Sequence, residues 1–210
     1  EIIDHIKNKV DKKTFLYRNI YPVSNKLSSK KRKDFTVLYA GLLGVAQDIL
    51  SLVKNIHFKN IGVDFHIYGE GNQKSMILEY LNDNKIDNIK YCGVLPKIEL
   101  DKIITTYNIA LVPLKNRIKG AVPSKIFELS QKSVPIVFFG EGEGADIVSK
   151  HMLGIAVKNN DYKNLEKQLF YFANLSEHEY NIYVKNCIDF SNNIINFDNQ
   201  MKDLINFLKK

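Results

Sequence analysis

Short hydrophobic runs alternate along the chain with longer segments in which apolar residues recur at helical spacing. Apolar runs of about four to eight residues, bounded by turn-forming residues, are typical of strands buried on both faces. The pattern predicts strands at 36–40, 63–68, 89–92, 109–112, 135–139 and 154–157. It predicts helices between them near 45–58, 72–84, 97–106, 122–132 and 143–151.

This alternation of strands and helices predicts an α/β fold with a doubly wound, parallel, Rossmann-like sheet of about six strands. Ligands of such sheets bind at the edge formed by the carboxyl ends of the strands. The loops expected at that edge are rich in glycine, which permits sharp turns and close approach of the backbone to a ligand. They contain the segments 41–44, 69–71, 93–94, 117–122 and 140–144.

The two ends of the chain have a different pattern. From Asp161 onward, apolar residues such as Leu165, Leu169 and Phe172 keep helical spacing and predict C-terminal helices. We therefore divide the chain into an interdomain segment and linker at 1–34, a Rossmann-like domain at 35–175 and C-terminal helices at 176–210. Those helices are expected to pack on the sheet or on a further domain. Because the chain begins at Glu1 rather than Met, we expect it to be a piece or a processed form of something longer.

A short helix before the fifth strand carries the most informative chemistry. Pro123 has the fixed φ and the missing N–H that suit a first helical position, and Ser133 and Pro135 are expected to end the helix. Ile126 and Leu129 lie three residues apart and would form its inward face. Ser124 and Glu128, four residues apart, would share another face.

The start of this helix is predicted to bind an anion, because free N–H groups and the cations Arg117, Lys119 and Lys125 would surround it. Glu128, one turn further on, could accept hydrogen bonds from two neighbouring hydroxyls, such as those of a ribose. A nucleoside diphosphate fits both halves of this arrangement. The alternative is a solvated helix whose Glu128 pairs with Lys125 or Lys132.

The net charge of the chain favours anionic partners but does not identify which of them binds. The 210 residues carry a net charge of +7, which favours anionic partners such as nucleotides, phospholipid surfaces or nucleic acid. The basic run at 30–33 is either a solvated loop or a contact with an anionic membrane surface. No apolar run approaches the roughly 20 residues that a membrane span needs. Cys92 and Cys187 form no CxxC motif and are expected to be reduced thiols of a cytoplasmic protein.

Several common sites are disfavoured by the sequence. The segment 140–145 matches a dinucleotide-binding fingerprint, but Glu141 and Glu143 would repel a pyrophosphate, and the motif belongs to a first βαβ unit. There is no GxxxxGK[ST] motif and no Asp-x-Asp pair, and the five histidines lack ligand spacing. We therefore expect no metal and no bound cofactor, and we interpret His66 as a packed or hydrogen-bonded strand residue.

The order of the motifs resembles a known family. Gly41-x-x-Gly44 is followed by Ile67-Tyr68-Gly69-Glu70-Gly71, then by Cys92-Gly93, by Val122-Pro123-Ser124-Lys125-Ile126-Phe127-Glu128 and by Gly154-Ile155-Ala156-Val157. This order resembles the C-terminal, donor-binding half of GT-B retaining glycosyltransferases of family four. The similarity is greatest to bacterial members that build capsule, O-antigen or related polysaccharides.

The resemblance implies a nucleotide-sugar donor bound in the cleft at the carboxyl edge of the sheet, without an obligatory metal. Glu128 matches the second acid of the family's E-x7-E motif, which binds the ribose hydroxyls. Further matches are Pro123, Ser124 and Lys125 near the diphosphate, Gly93 and Val94 along the base, and Gly41 and Gly44 facing the phosphates. A saccharide or polyprenyl-linked acceptor would bind an N-terminal domain missing from this chain. Such enzymes would act in the cytoplasm, with the inner membrane face as an open alternative.

The chain also departs from the family pattern. The first acid of E-x7-E falls at Gly120, and the family's frequent Arg and Lys after the first strand fall at Leu42 and Gln47. Lys125, Arg117 or Lys119 could supply the charge that these positions lack. Two alternatives to a transferase domain follow, namely a non-catalytic GT-B-like binding or assembly subunit and, less favoured, a sugar-nucleotide epimerase.

Overall fold

A parallel sheet forms the centre of the computed structural model, which describes residues 2–20, 33–116 and 119–209. Its strands are β1 (Thr36–Ala40), β2 (Asp64–Tyr68), β3 (Ile89–Tyr91), β4 (Ile109–Pro113), β5 (Ile136–Phe139) and β6 (Gly154–Val157). The six strands lie in the order β3-β2-β1-β4-β5-β6, and every neighbouring pair is parallel. The predicted doubly wound, Rossmann-like sheet is confirmed.

Helices cover both faces of this sheet. The α-helices of the described residues are α1 (Ile2–Lys7), α2 (Ile49–Asn55), α3 (Lys74–Asp83), α4 (Lys97–Ile104), α5 (Lys125–Gln131), α6 (Glu143–Lys150), α7 (Tyr162–Ala173), α8 (Glu177–Asn193) and α9 (Phe197–Leu208). Within the described ranges, no helix combines the length and the apolarity that crossing a bilayer requires. The predicted C-terminal helices are present, whereas the boundaries proposed at 34 and 175 stay predictions.

The core consists of two layers, one on each face of the sheet. Alternate strand residues face opposite layers, so Val37 and Leu38 of β1 are both buried but on different sides. Helices α2, α3 and α7 cover one face, where α7 buries Leu165, Leu169 and Phe172 as predicted. Helices α4, α5, α6 and α8 cover the other. With both faces covered, ligands can reach the sheet only at its ends.

The predicted helix at 45–58 is wrong in its extent. Residues before Ile49 form a loop that crosses the carboxyl edge, and Asp48, with φ of 47°, turns the chain into α2. After α2 ends, residues Phe58–Ile61 form a separate 3₁₀ helix. The sequence pattern did not predict these breaks, because apolar residues keep helical spacing through the loop, α2 and the 3₁₀ helix. The segment 21–32, which includes most of the basic run, lies outside the described residues.

The N-terminal segment is fastened to the C-terminal helices by specific contacts. The backbone N–H of Arg18 donates to Gln200 Oε1 at 2.7 Å, and the Arg18 carbonyl accepts from Gln200 Nε2 at 2.8 Å. The Arg18 guanidinium pairs with Glu143 and lies 5.6 Å from the centre of the Phe127 ring. The segment before the sheet therefore packs against α5, α6 and α9.

The glycines of the 140–144 segment serve close packing. A Cβ atom added to Gly144 would lie 2.8 Å from the Phe138 ring and 3.2 Å from Cδ1 of Ile126. Phe138 is fully buried and has little room to move. The fingerprint-like pattern is therefore explained by the close approach of α6 to β5.

We expect Gly144→Ala to lower the free energy of unfolding by about 1–3 kcal/mol, because an extra methyl group overpacks this contact. Urea unfolding measures the change. Alanine is the better helix former by about 1 kcal/mol, so unchanged or higher stability would contradict the packing argument. A second variant, Gly144→Ala with Phe138→Leu, should recover part of the loss, whereas Phe138→Leu alone should destabilise the protein.

Candidate functional site

Backbone hydrogen bonds join the loops that leave β1 and β2 at the carboxyl edge. The N–H of Gly41 donates to Tyr68 O at 3.0 Å, and the N–H of Leu43 donates to Glu70 O at 2.8 Å. The same edge continues to the loop after β3, where the N–H of Gly69 donates to Gly93 O at 2.9 Å. These three loops form one connected platform.

Glycine is required where these loops touch. A Cβ atom at Gly69 would lie 1.7 Å from Gly41 O, and one at Gly71 would lie 2.4 Å from Leu43 O. Both glycines also have positive φ, 139° and 155°. The Gly-Glu-Gly motif therefore fixes the position of the loop that follows β1.

A cavity of about 240 Å³ opens beside this loop, between the carboxyl ends of β1 and β4. Its lining is largely apolar, and it includes four predicted site residues, namely Gly41, Gln47, Pro123 and Lys125. Such a cavity with few polar groups is typical of a small-molecule site. The sheet edge predicted to bind a ligand therefore has a cavity there.

Glu128 lies next to this cavity without being one of its lining residues. Only 15% of its side chain is exposed, and its Oε2 atom pairs with Lys125 Nζ at 2.8 Å. Its other oxygen, Oε1, pairs with Lys97 at the start of α4. The pairing with Lys125 was one of the alternatives from the sequence. The pairing with Lys132 is wrong, because Lys132 contacts Asp101 at 3.5 Å instead.

The two lysines keep Glu128 ionised. Burial of the carboxylate raises its pKa, but the hydrogen bonds and charges of Lys125 and Lys97 outweigh burial, and the pKa of Glu128 lies below its ordinary value. At neutral pH the group is therefore an anion that can only accept hydrogen bonds.

The helix start offers less to an anion than predicted. Pro123 precedes α5 by two residues instead of opening it, and Ser124 takes the N-cap position without a capping side-chain bond. The N–H of Ile126 donates to Pro123 O at 3.1 Å, and the N–H groups of Phe127 and Glu128 donate to Ser124 O at 3.1 Å. Since these donors are already used, positive charge near α5 has to come mainly from lysine side chains.

A second polar cluster fixes the loop after β1. Asp48 is 8% exposed; it accepts from Lys115 Nζ at 2.6 Å and from Gln73 Nε2 at 3.1 Å. Burial raises its pKa, yet the hydrogen bonds from Lys115, Ser51 and Gln73 prevail, so the pKa of Asp48 is lowered. This cluster joins the starts of α2 and α3 to the loop after β4. No local pattern in the sequence predicts this cluster, because its members are far apart in the chain.

Two of the three positions that depart from the family pattern, Leu42 and Gln47, line the cavity. Leu42 is 63% exposed, and Gln47 lines the cavity with its Oε1 atom buried and without a hydrogen-bond partner among the described residues. A buried amide oxygen without a partner costs free energy.

The remaining predicted site residues are spread around this edge. Val94 is 59% exposed, and Gly93, with φ of 82°, begins the loop to α4. Gly44 lies in the loop after β1, where an added Cβ would meet Gln47 Oε1 at 3.2 Å. Lys119 is exposed, whereas Arg117 lies outside the described residues.

Gly120 does not line the cavity between the carboxyl ends of β1 and β4. It lines a different cavity of about 440 Å³, together with Ser124, Phe127 and the paired residues Arg18 and Glu143. The loop before α5 therefore has one cavity on each side.

No group of three or more acidic, histidine or cysteine side chains in the described ranges is arranged to hold a metal. His66 is 8% exposed and its Nδ1 lies 3.0 Å from the Tyr107 hydroxyl, as expected for a hydrogen-bonded strand residue. Cys92 and Cys187, both in the described part, form no disulfide with each other.

We expect Glu128→Gln to lower the free energy of unfolding at pH 7 by about 1–2 kcal/mol, because the charge-assisted hydrogen bonds to two lysines are weakened. The loss is limited because Lys97 is exposed and solvent screens its charge. The lowered pKa means that this contribution is complete above the ordinary carboxyl value of 4.5 and is lost as the pH falls through the folded-state pKa. Denaturant unfolding of both proteins between pH 3 and 7 measures it.

The stability difference between the two proteins should therefore shrink below about pH 4.5. Glu79→Gln, which removes an exposed carboxylate from α3, is the control and should cause little change at any pH. A difference that persists at pH 3 would contradict the assigned ion pairs.

Comparison with known proteins adds independent information. Residues 34–173 match the family model described as glycosyl transferases group 1. Among solved structures, a mutant of S. aureus TarM, in complex with fondaparinux, α-GlcNAc-glycerol and UDP, has a TM-score of 0.78 at 17% identity. The alignment covers 98% of this chain and 42% of TarM.

Two other structures give similar values. The pneumococcal O-GlcNAc transferase GtfA, in complex with UDP and GlcNAc, has a TM-score of 0.68 at 18% identity, over 90% of this chain and 38% of GtfA. Anabaena Alr3699/HepE, in complex with UDP, has a TM-score of 0.69 at 11% identity, over 84% of this chain and 49% of that protein. No curated protein matches the sequence significantly.

These likenesses establish the fold, and the chain spans less than half the length of each of these three structures. The family model covers two thirds of the chain and includes the whole sheet, α5 and the cavity. The chain has the fold of one half of a GT-B protein and belongs to the family of glycosyl transferases group 1.

Proposed function

We propose that this chain is the donor-binding domain of a retaining glycosyltransferase, which transfers a sugar from a UDP- or GDP-sugar to a lipid-linked or saccharide acceptor. The observation that carries the proposal is the cavity at the carboxyl edge of the sheet, which Lys125 lines and beside which the largely buried carboxylate of Glu128 lies. Membership of the glycosyl transferase family supports this interpretation of the cavity.

Each part of a nucleotide sugar has a counterpart at this edge. Lys125 both lines the cavity and carries a charge suited to a diphosphate. Glu128 provides an ionised carboxylate for the two ribose hydroxyls, since each of its oxygens can accept more than one hydrogen bond. Gly93 and Val94 would lie along the base, and Gly41 and Gly44 would allow the phosphates to approach the backbone closely.

The proposed catalytic contribution is orientation of the donor and stabilisation of the charge on the departing diphosphate. Gly120 provides no carboxylate for the sugar, and catalytic residues are not assigned. We expect no metal requirement, because lysines would neutralise the leaving group. Lys125 is the main candidate, and Lys119 and Arg117 are the others.

The wider setting is also proposed. UDP is bound in the structures of TarM and GtfA, which favours UDP as the first nucleotide to test. Because the chain spans less than half the length of those proteins, acceptor binding is assigned to a separate domain. We place the complete enzyme in bacterial surface polysaccharide synthesis, in the cytoplasm or on the inner face of the membrane.

A non-catalytic binding or assembly subunit is the second candidate. Leu42 and Gln47 replace two cations of the family pattern, and the buried Gln47 Oε1 lacks a partner among the described residues, so a phosphate would find fewer positive groups here. An epimerase is less favoured, because the largely apolar cavity offers no pair of groups for acid–base chemistry.

We expect the chain to bind UDP or GDP, and Lys125→Ala to weaken that binding at least about tenfold through loss of a charge-assisted contact. Isothermal titration calorimetry with both nucleotides and their sugars measures the affinities. Lys59→Ala is the matched control, because Lys59 pairs with Asp87 near the opposite end of β2. It removes an equal charge and should leave binding unchanged.

The results separate the two candidates. No binding at millimolar nucleotide would favour the non-catalytic subunit, and binding that Lys125→Ala leaves intact would remove the proposed site. We further expect no transfer of sugar to an acceptor by this chain alone, measured with a radiolabelled donor. Transfer by the isolated chain would contradict the assignment of acceptor binding to another domain.

A further inference from the structure

Lys97 connects two parts of the proposed donor site. It is the first residue of α4 and follows the short loop 92–96, which connects β3 to α4. Its ammonium group extends to α5, where it contacts Glu128 Oε1, and it also contacts Asp101 Oδ1 at 2.8 Å. One side chain thus joins the loop assigned to the base with the carboxylate assigned to the ribose.

The contacts of Glu128 divide evenly between its two oxygens. Lys97 contacts Oε1 and Lys125 contacts Oε2, so the two cations together fix both the position and the rotation of the carboxylate. An ionised carboxylate has about four acceptor positions. Each oxygen therefore keeps acceptor capacity for a hydroxyl while its lysine remains in place.

Polar contacts add to apolar packing at helix α4. Ile104 is fully buried and Leu100 and Ile103 pack against the core, but Lys97 itself lies on the exposed first turn, where its position depends on polar contacts. Two ion pairs join α4 to the region of α5, namely Lys97 with Glu128 and Asp101 with Lys132 at 3.5 Å, whereas the pair of Lys97 and Asp101 lies within α4 itself. Movement of the loop before α4 would therefore change the orientation of Glu128.

We propose that Lys97 is a positioning residue that holds Glu128 in the orientation required by a ribose and thereby makes the site selective for ribonucleotides over deoxyribonucleotides. This inference rests on the proposed function. In this proposal Lys97 acts on the ribose through its contact with Glu128. Without Lys97, only Lys125 would hold the Glu128 carboxylate, which would lose the fixed orientation that two ribose hydroxyls need.

The test compares UDP with 2′-deoxy-UDP, or GDP with 2′-deoxy-GDP if GDP binds more tightly. We expect the unaltered chain to prefer the ribonucleotide about tenfold, the effect of one charge-assisted hydrogen bond. In Lys97→Met, which keeps the length and removes the charge, the preference should fall to about twofold. In Lys97→Arg the preference should be retained, because a cation still reaches Glu128.

Lys102→Met is the matched control, because it removes an exposed lysine from the same helix and should preserve the preference. If Lys97→Met weakens both nucleotides equally, or binds the ribonucleotide more tightly, Lys97 does not position the ribose carboxylate. If the unaltered chain binds neither nucleotide, the proposed function fails and this inference fails with it. If it binds both with equal affinity, donor binding stands and only the ribose assignment and the role of Lys97 fail.

Discussion

A partly buried carboxylate has to be compensated by positive charge, and this requirement organises the candidate site. Glu128 is removed from water by the packing of α5 on the sheet, and it is stabilised by lysines from two different elements. Lys125 comes from its own helix, and Lys97 comes from the helix that follows β3. The ion pairs therefore connect the two sides of the cleft as well as neutralising a charge.

The platform below this cluster is built from backbone contacts. The loops after β1, β2 and β3 are joined by N–H to carbonyl hydrogen bonds, and Gly69 and Gly71 permit contact distances at which any side chain would collide. The pair of the buried Asp48 and the exposed Lys115 adds the loop after β4 to the same platform. A ligand at this edge would meet a surface whose shape is largely fixed before binding.

The sheet could be predicted from the sequence because most of its strands are short apolar runs with glycine or proline at or near their ends. The inward face of α5 was predicted for a related reason, since Ile126 and Leu129 recur at helical spacing and are both buried. Spacing alone failed at 45–48, where a positive φ at Asp48 separates loop from helix. It also failed at Pro123, which was expected to be the first helical residue but lies two residues before α5. The Pro123 carbonyl accepts the N–H of Ile126 in the turn that leads into the helix.

The ion pairs could not be predicted from local pattern. Lys97 and Glu128 are 31 residues apart, and Asp48 and Lys115 are 67 residues apart, so only the sheet topology brings them together. The sequence offered Lys125 and Lys132 as partners of Glu128 because both are one turn away. The structure assigns Lys132 to Asp101 instead, which frees one Glu128 oxygen for a lysine from another helix.

The charge balance of this cluster determines how an anion would approach it. Lys97, Lys125 and Lys132 stand against Glu128 and Asp101, so the cluster as a whole is only slightly positive. Long-range attraction is screened within about 8 Å at physiological ionic strength and would contribute little to the rate of encounter. At this cluster, recognition would therefore depend mainly on contacts made after the ligand has arrived.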